Sequence, residues 1–220
     1  MADYIYAFKK PFTDWRKLII GAVLYMIPYI NIITSIIASG YLLICAKNAI
    51  NKDKSLPMWT DWLDLFLKGV VAIVIWAIFI IPVLVYILVF NLSETFYSIL
   101  GGSDLIFMLA NAGPHIIVSL VLAVVLSYVA PYGIMLYLDR DSFVEAFSLS
   151  EVFTKPFTLI YLKAWLLSVV FSVVIGTVLG IVNTLLAATV VVPLILNGFS
   201  NMIIGITSLT LLGDAFRELK

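Results

Sequence analysis

Few side chains in this sequence could serve as an acid, a base, a nucleophile or a metal ligand, and they lie far apart. The single histidine, His115, has no cysteine or carboxylate close to it in the sequence, so its surroundings do not predict a metal site. Cys45 lies inside an apolar run, where a lone thiol is typical of a small packed side chain. The sequence therefore predicts no catalytic residues, no metal and no cofactor, and we expect that the protein is not an enzyme.

The carboxylates that could take part in acid–base chemistry lie on polar segments between apolar runs. They are Asp61, Asp64, Asp139, Asp141, Glu145 and Glu151. Acid–base catalysis needs such groups clustered around one reacting atom. The spacing here is more typical of helix caps and surface faces. Ser142 and Glu145, for example, form the S-x-x-E pattern of a helix start.

Amide and hydroxyl side chains inside the apolar runs are the remaining candidates for a binding site. Four of them could line a polar cavity: Asn31, Ser35, Asn197 and Asn201. Such a cavity would favour transport, whereas asparagines buried in a membrane also bond to neighbouring helices. Both interpretations remain open at the level of sequence.

A second pattern is a stripe of small residues at four-residue spacing near the end of the chain. It consists of Ser168, Ser172, Gly176 and Gly180. Residues four apart lie on one face of a helix, and small side chains let two helices approach closely. The stripe predicts helix packing, either within the monomer or between copies of the chain, with the lining of a pathway as the alternative.

The elements that must position these side chains are apolar helices. The chain of 220 residues is 63% hydrophobic and 12% charged, whereas globular domains are roughly 45–50% apolar and about 25% charged. Long runs contain no Asp, Glu, Lys or Arg, and a helix needs about 20 apolar residues to cross the hydrocarbon core. The sequence predicts a single domain, 1–220, folded as an all-α polytopic transmembrane bundle with about six hydrophobic segments. The lipid bilayer is its first partner, and zero net charge argues against nucleic acid.

All Lys and Arg residues fall in four segments, at 1–17, 47–68, 140–163 and 217–220, and none falls in 91–114. Positive residues favour the cytoplasmic side of a membrane. We therefore expect both termini in the cytoplasm and 91–114 outside. The first apolar run, 18–46, must then cross an even number of times. A short or re-entrant hairpin turning near Pro28 satisfies this. The alternative is one kinked helix, which would put the loop with Lys52 and Lys54 outside.

Three stretches beside the spans are predicted to lie as amphipathic helices at the membrane interface: 1–15, 57–66 and 142–153. In the second, Trp59, Trp62 and Phe66 form an apolar stripe opposite Asp61 and Asp64, which is typical of an interfacial anchor or a docking surface. The hexapeptide at 8–13 recurs at 153–158 with five of six positions identical. This repeat suggests two parallel units, 1–90 and 141–220.

Several motifs in the first third of the chain resemble a known family. They are Lys10-Pro11-Phe12, Ser39-Gly40-Tyr41, Asn51-Lys52 and the run from Leu56 to Trp62 that leads to Phe66 and Gly69. This order is similar to the prokaryotic, mostly archaeal, membrane family labelled domain of unknown function 4013. The resemblance implies a small multi-pass protein of the cytoplasmic membrane and no particular activity.

Two functions remain. The first is a non-enzymatic accessory or scaffold component of a membrane complex, with a membrane-protein partner or a homo-oligomer. The alternative is a transporter or channel for a neutral or amphiphilic solute or lipid. Proton-coupled carriers usually keep an ionisable group inside the membrane, and the predicted spans contain no Asp, Glu, Lys or Arg.

Overall fold

The computed structural model describes the backbone of residues 4–26, 31–101, 105–186, 189 and 191–220, and the side chains in these ranges outside 91–114. Its helices are, in chain order, α1 (Tyr4–Lys9), α2 (Trp15–Met26), α3 (Asn31–Ile50), α4 (Trp62–Gly101), α5 (Leu105–Arg140), α6 (Leu149–Val152), α7 (Leu159–Leu185) and α8 (Val191–Leu219). Two 3-10 turns, Lys10–Thr13 and Val144–Phe147, precede α2 and α6. The predicted all-α fold is confirmed.

Five stretches of helix within the described residues are long and apolar enough to cross a membrane. They are Asn31–Ile50, Trp62–Phe90, His115–Arg140, Leu159–Leu185 and Val191–Leu219. The sixth hydrophobic segment is α2, whose 12 residues extend about 18 Å at 1.5 Å per residue. This is short of a hydrocarbon core of roughly 30 Å. The predicted set of about six segments is confirmed, with a short first one.

The first apolar run forms a hairpin and not one kinked helix. Helices α2 and α3 pack against each other, and the Thr34 hydroxyl donates to the carbonyl of Leu24 at 2.6 Å. At the other end of the hairpin, Lys17 donates to the carbonyl of Leu56 at 2.7 Å. The chain therefore returns to the side on which it started. The predicted turn near Pro28 lies outside the described residues.

The helices in the middle of the chain are longer than hydropathy predicts. The apolar stretches of these two helices run from about Gly69 to Phe90 and from about His115 to Leu138, whereas α4 has 40 residues and α5 has 36. Hydropathy indicates only the part of a helix that lies in lipid. The helix can continue into water beyond that part, because its backbone hydrogen bonds are made within the helix itself. Helix α7 ends at Leu185 and α8 begins at Val191.

Helix α8 is the centre of the bundle, since it packs against α2, α3 and α7. Helices α3 and α4 approach each other closely at two glycines. A Cβ on Gly40 would overlap the carbonyl oxygen of Leu65, and one on Gly69 would overlap that of Ile36. Small residues are needed where backbones approach this closely.

Buried side chains concentrate toward one end of the bundle. They include residues 40–43 and 45–46 of α3, 128–136 of α5 and 210–216 of α8, with Tyr132, Tyr161 and Phe216 in ring contact at the centre. By contrast, the apolar residues in the middle of α4 and along α7 are mostly exposed. Packing thus fixes one end of the molecule, while the remaining helix surfaces face the surroundings that their composition predicts to be lipid.

The predicted interfacial helices differ from the structure in three respects. Residues 57–61 are not helical and α4 begins at Trp62, because Trp59 is held against α3 and Asp61 has a positive φ of 52°. Residues 142–153 form two short turns without the predicted capping box, because the Glu145 carboxylate accepts a bond from Arg140 instead. Helix α1 and the 3-10 turn that follows it are only partly at the surface, since Ala7 of the helix and Lys10 of the turn are buried. The division into two parallel units stays a prediction.

Candidate functional site at the charged end of the bundle

All four basic segments of the sequence meet at the well-packed end of the bundle, which we name the charged end. Lys47 pairs with Asp141, and Lys220 pairs with Asp139 at 2.7 Å. Arg217 donates to the carbonyl of Ala49 at 2.9 Å. These contacts join the ends of α3, α5 and α8. The grouping that charge alone predicted is therefore present in the geometry.

Most of the carboxylates considered for acid–base chemistry are held in ion pairs that join neighbouring segments. Arg140 at the end of α5 pairs with both Glu145 and Glu151, the latter at 2.7 Å. Glu151 also pairs with Lys155 at 2.8 Å. Hydrogen bonds from Lys155 and Arg140 lower the pKa of the Glu151 carboxyl. A group kept ionised in this way anchors a loop and does not accept and release protons near neutral pH.

Trp59 fastens the loop between α3 and α4 to the start of the first hairpin. Its ring stacks on Tyr41 with centroids 3.9 Å apart and planes 3° apart. Its indole N–H donates to the carbonyl of Lys17 at 2.9 Å, and the Tyr41 hydroxyl donates to the carbonyl of Pro57 at 3.2 Å. Of the four predicted anchor or docking residues, Trp59 is half-buried in this clamp. Asp61 and Trp62 are exposed, and Phe66 is partly exposed.

A polar cavity of about 260 Å³ opens at the charged end. We name it the polar-end cavity. It lies between α1, the end of α3, the loop that follows and the last turns of α8, and its lining residues are Tyr6, Ala49, Lys52, Asp53, Lys54, Thr210, Asp214 and Arg217. The sequence did not single out this set, because its members come from four separate segments. The one feature of the sequence that indicates a polar site here is the pair of Asp214 and Arg217, which lie three residues apart near the end of the apolar helix α8.

Lys10 lies beside this cavity as a fully buried cation. Its ammonium group donates to the carbonyl of Cys45 at 3.3 Å. Burial lowers the pKa of Lys10, while Cys45, Asp214 and Asp53 act in the opposite direction. Lysine is almost never fully buried without a partner. The packing of Lys10 shows that the first copy of the repeated hexapeptide, 8–13, is part of the fold at this end.

A second cavity, of about 360 Å³, is apolar and lies between α5 and the start of α7. Tyr128, Phe157 and Trp165 supply its aromatic wall, and Val124 and Leu162 are among its aliphatic residues. The Trp165 indole donates to the carbonyl of Ser127 at 3.3 Å, which ties α7 to α5 beside the cavity. This surface suits an apolar chain and offers few polar contacts.

The residues predicted to line a polar cavity do not line either of these two cavities. Asn31, Asn197 and Asn201 are exposed, and Ser35 is partly exposed with its hydroxyl bonded to the carbonyl of Ile32. Asn197 accepts a bond from Asn183 at 3.0 Å, which links α8 to α7 near their turn.

The small-residue stripe lies on a largely open face of α7. The hydroxyls of Ser168 and Ser172 bond to carbonyls of their own helix. Gly176 and Gly180 have no neighbouring atom within 4 Å of an added Cβ, whereas the other seven glycines with described surroundings pack closely. Within the described residues, the glycine half of the stripe therefore has no packing partner in the monomer.

Neither the histidine nor the cysteine lines one of these two cavities. His115 is 2.8 Å from the Tyr86 hydroxyl and stacks on Phe90, and Cys45 is buried in α3. Among the residues that the structure describes, no group of three potential His, Cys, Asp or Glu ligands could hold a metal. The described contacts at the charged end join helices to one another.

Comparison with known proteins agrees with the motifs in the first third of the chain. The profile of the family described as "Protein of unknown function (DUF4013)" matches residues 20–186. Neither the curated proteins nor the solved structures contain a match to this chain. The matched segment runs from the first hairpin to the end of α7. It includes the loop residues 52–54 that line the polar-end cavity and the loop residues 157–158 that line the apolar cavity. This membrane-embedded helical chain therefore belongs to the DUF4013 family.

Proposed function

We propose that this protein is a non-enzymatic accessory component of a membrane complex, and that α7 receives a transmembrane helix of a partner protein. The observation that carries the proposal is the open face of α7 at Gly176 and Gly180. Contact with lipid tails does not require small side chains, whereas a second helix can approach closely only where side chains are small. The ion pairs at the charged end support a non-enzymatic role, because the carboxylates in them hold neighbouring segments together.

The test is the mass of the intact complex. The tagged protein is purified from its native membrane in a mild detergent and weighed by native mass spectrometry. We expect a stoichiometric foreign subunit, which is lost when Gly176 and Gly180 are both changed to leucine. The matched control changes Val174 and Val178 to leucine, since both are exposed on the opposite face of α7. Recovery of only the monomer or a homo-oligomer would contradict the accessory function.

The apolar cavity between α5 and α7 favours a second candidate, which is transport of an amphiphilic solute or lipid. Its aromatic and aliphatic wall suits an acyl chain. A lipid retained in the mass spectrum, together with transfer of that lipid between the two faces of a liposome, would support this candidate. Retention that survives Trp165→Ala and Leu162→Ala would exclude the cavity as its site.

We further propose that the charged end faces the cytoplasm of a prokaryotic cell, because it gathers the basic residues. Single cysteines at Lys54, Lys155 and Thr189, in a Cys45→Ser background, test this with a membrane-impermeant maleimide. We expect labelling of Thr189→Cys in intact cells, and labelling of the other two only after the membrane is opened. Labelling of Lys54→Cys in intact cells would reverse the orientation.

A further inference from the structure

The polar-end cavity has the size and shape of a site for a small polar ligand. At about 260 Å³ it is slightly smaller than the pockets of roughly 300–1,000 Å³ that hold drug-sized molecules. Its walls come from α1, α3, α8 and the loop at 51–61, so several elements fix its shape. In the loop, Lys52 has a positive φ of 63° and its N–H bonds to the carbonyl of Ala49 at 3.1 Å, which closes α3 directly beside the cavity.

The charges that line this cavity favour an anion. Lys52, Lys54 and Arg217 face Asp53 and Asp214, which leaves an excess of one positive charge. The two carboxylates are already engaged, since Asp214 pairs with Arg217 at 2.7 Å and Asp53 accepts the Ser55 N–H at 2.8 Å. Buried Lys10 adds a further positive charge behind the wall.

The available donors are those that bind tetrahedral oxyanions. Both described bonds of Arg217 are made by Nη1, so Nη2 and Nε remain to bind a ligand side-on. A guanidinium group binds phosphate through two such N–H groups at once, and an ammonium group adds a point charge. Thr210 contributes to the lining and is fully buried, and its hydroxyl has no hydrogen-bond partner in the described part of the chain. Buried hydroxyls are normally bonded, and this one is available to a ligand.

We propose that the polar-end cavity binds a phosphate group, held by Arg217 and Lys52 with Thr210 at the floor of the site. The cavity lies at the end of the bundle where the basic residues meet. A phosphate group reaches this position either on the headgroup of a phospholipid or on a small soluble compound. The inference does not depend on the accessory function, because it concerns ligand contact at the charged end and not helix contact on α7.

The test measures saturable binding to the full-length protein in a neutral detergent. One arm titrates inorganic phosphate against chloride at matched ionic strength, and follows thermal unfolding. The other arm titrates a short-chain phosphatidic acid against the matching diacylglycerol, and counts bound molecules by native mass spectrometry. Binding in both arms assigns a general phosphate site. Binding of the lipid only assigns a headgroup, and binding of inorganic phosphate only assigns a soluble phosphate compound. All three results support the proposal.

Variants separate this site from general attraction to a basic surface. We expect Arg217→Lys to raise the dissociation constant about tenfold, because a lysine cannot bind side-on, and Lys52→Gln to raise it about fivefold. Lys163→Gln removes the same charge from an exposed position on α7 and should leave binding unchanged. Because Arg217 also joins α3 and α8, Lys52→Gln decides the outcome if Arg217→Lys does not fold. Absence of saturable binding in both arms, or an equal effect of Lys52→Gln and Lys163→Gln, would overturn the proposal.

Discussion

Gly40→Ala is expected to destabilise the protein by about 3 kcal/mol or more. The added methyl group would overlap the carbonyl oxygen of Leu65 on the facing helix, and a backbone atom cannot move aside as a flexible side chain can. Overpacking of this kind costs roughly 1–3 kcal/mol, and more where the backbone must shift. The measurement is the loss of helical circular dichroism during unfolding of the detergent-solubilised protein, for wild type and variant side by side.

Gly176→Ala is the matched control, because it makes the same change in a helix whose glycine has no neighbour within 4 Å. Alanine forms helix better than glycine by about 1 kcal/mol in water, so this variant should be as stable as wild type or slightly more stable. Gly69→Ala should behave like Gly40→Ala, since its methyl group would overlap the Ile36 carbonyl. Equal stability of Gly40→Ala and Gly176→Ala would show that α3 and α4 do not cross at these glycines.

Trp59→Ala is expected to cost roughly 2–4 kcal/mol and to release the loop at 51–61. The change removes the stack on Tyr41 and the hydrogen bond to the Lys17 carbonyl, and full removal of a well-packed tryptophan costs about 3–5 kcal/mol. The lower figure is used because Trp59 is only half-buried. Besides unfolding, the readout is trypsin cleavage after Lys52 and Lys54, which should become faster in the variant.

Two neighbouring changes define what Trp59 contributes. Trp59→Phe keeps a ring over Tyr41 and loses the indole N–H, so we expect an intermediate loss of about 1 kcal/mol. Trp62→Ala removes a ring that is 45% exposed and whose described ring contact is with Trp59 at 5.7 Å; it should cost less than about 1 kcal/mol. If Trp62→Ala released the loop as strongly as Trp59→Ala, the clamp would not depend on the contact with Tyr41.

The sequence contains enough information for the number of segments and for the end at which charged residues gather. The number of segments follows from the length of chain that a span needs. The end at which charges gather follows from the free energy cost of placing Lys17, Lys47 or Arg140 in hydrocarbon. The short first hairpin is favoured because it puts Lys17 and Lys47 on the same side, but the sequence also allows one kinked helix.

Features that depend on pairs of distant residues could not be predicted in this way. Residues 57–66 carry the apolar stripe of a helix, but the contact of Trp59 with Tyr41 keeps residues 57–61 out of α4, which begins at Trp62. Glu145 fits a capping box, but Arg140 offers a stronger, charged partner. The polar-end cavity brings Tyr6, Lys52 and Arg217 together, and nothing in their local sequence indicates that they are neighbours.

The short first hairpin also has a consequence for the shape of the surrounding bilayer. Tryptophan rings favour the headgroup level, and Trp15 and Trp59 lie near the start of α2 and beside Tyr41 of α3. Measured from that level, α2 extends about 18 Å and residues 31–41 extend about 17 Å, a little more than half of the hydrocarbon thickness of roughly 30 Å. We therefore expect the hairpin to displace lipid mainly from one leaflet, because α3 continues past Tyr41 beyond the headgroup level, whereas we expect α4, α5, α7 and α8 to pass through both. A bilayer crowded with this protein should curve, with its convex side toward the charged end.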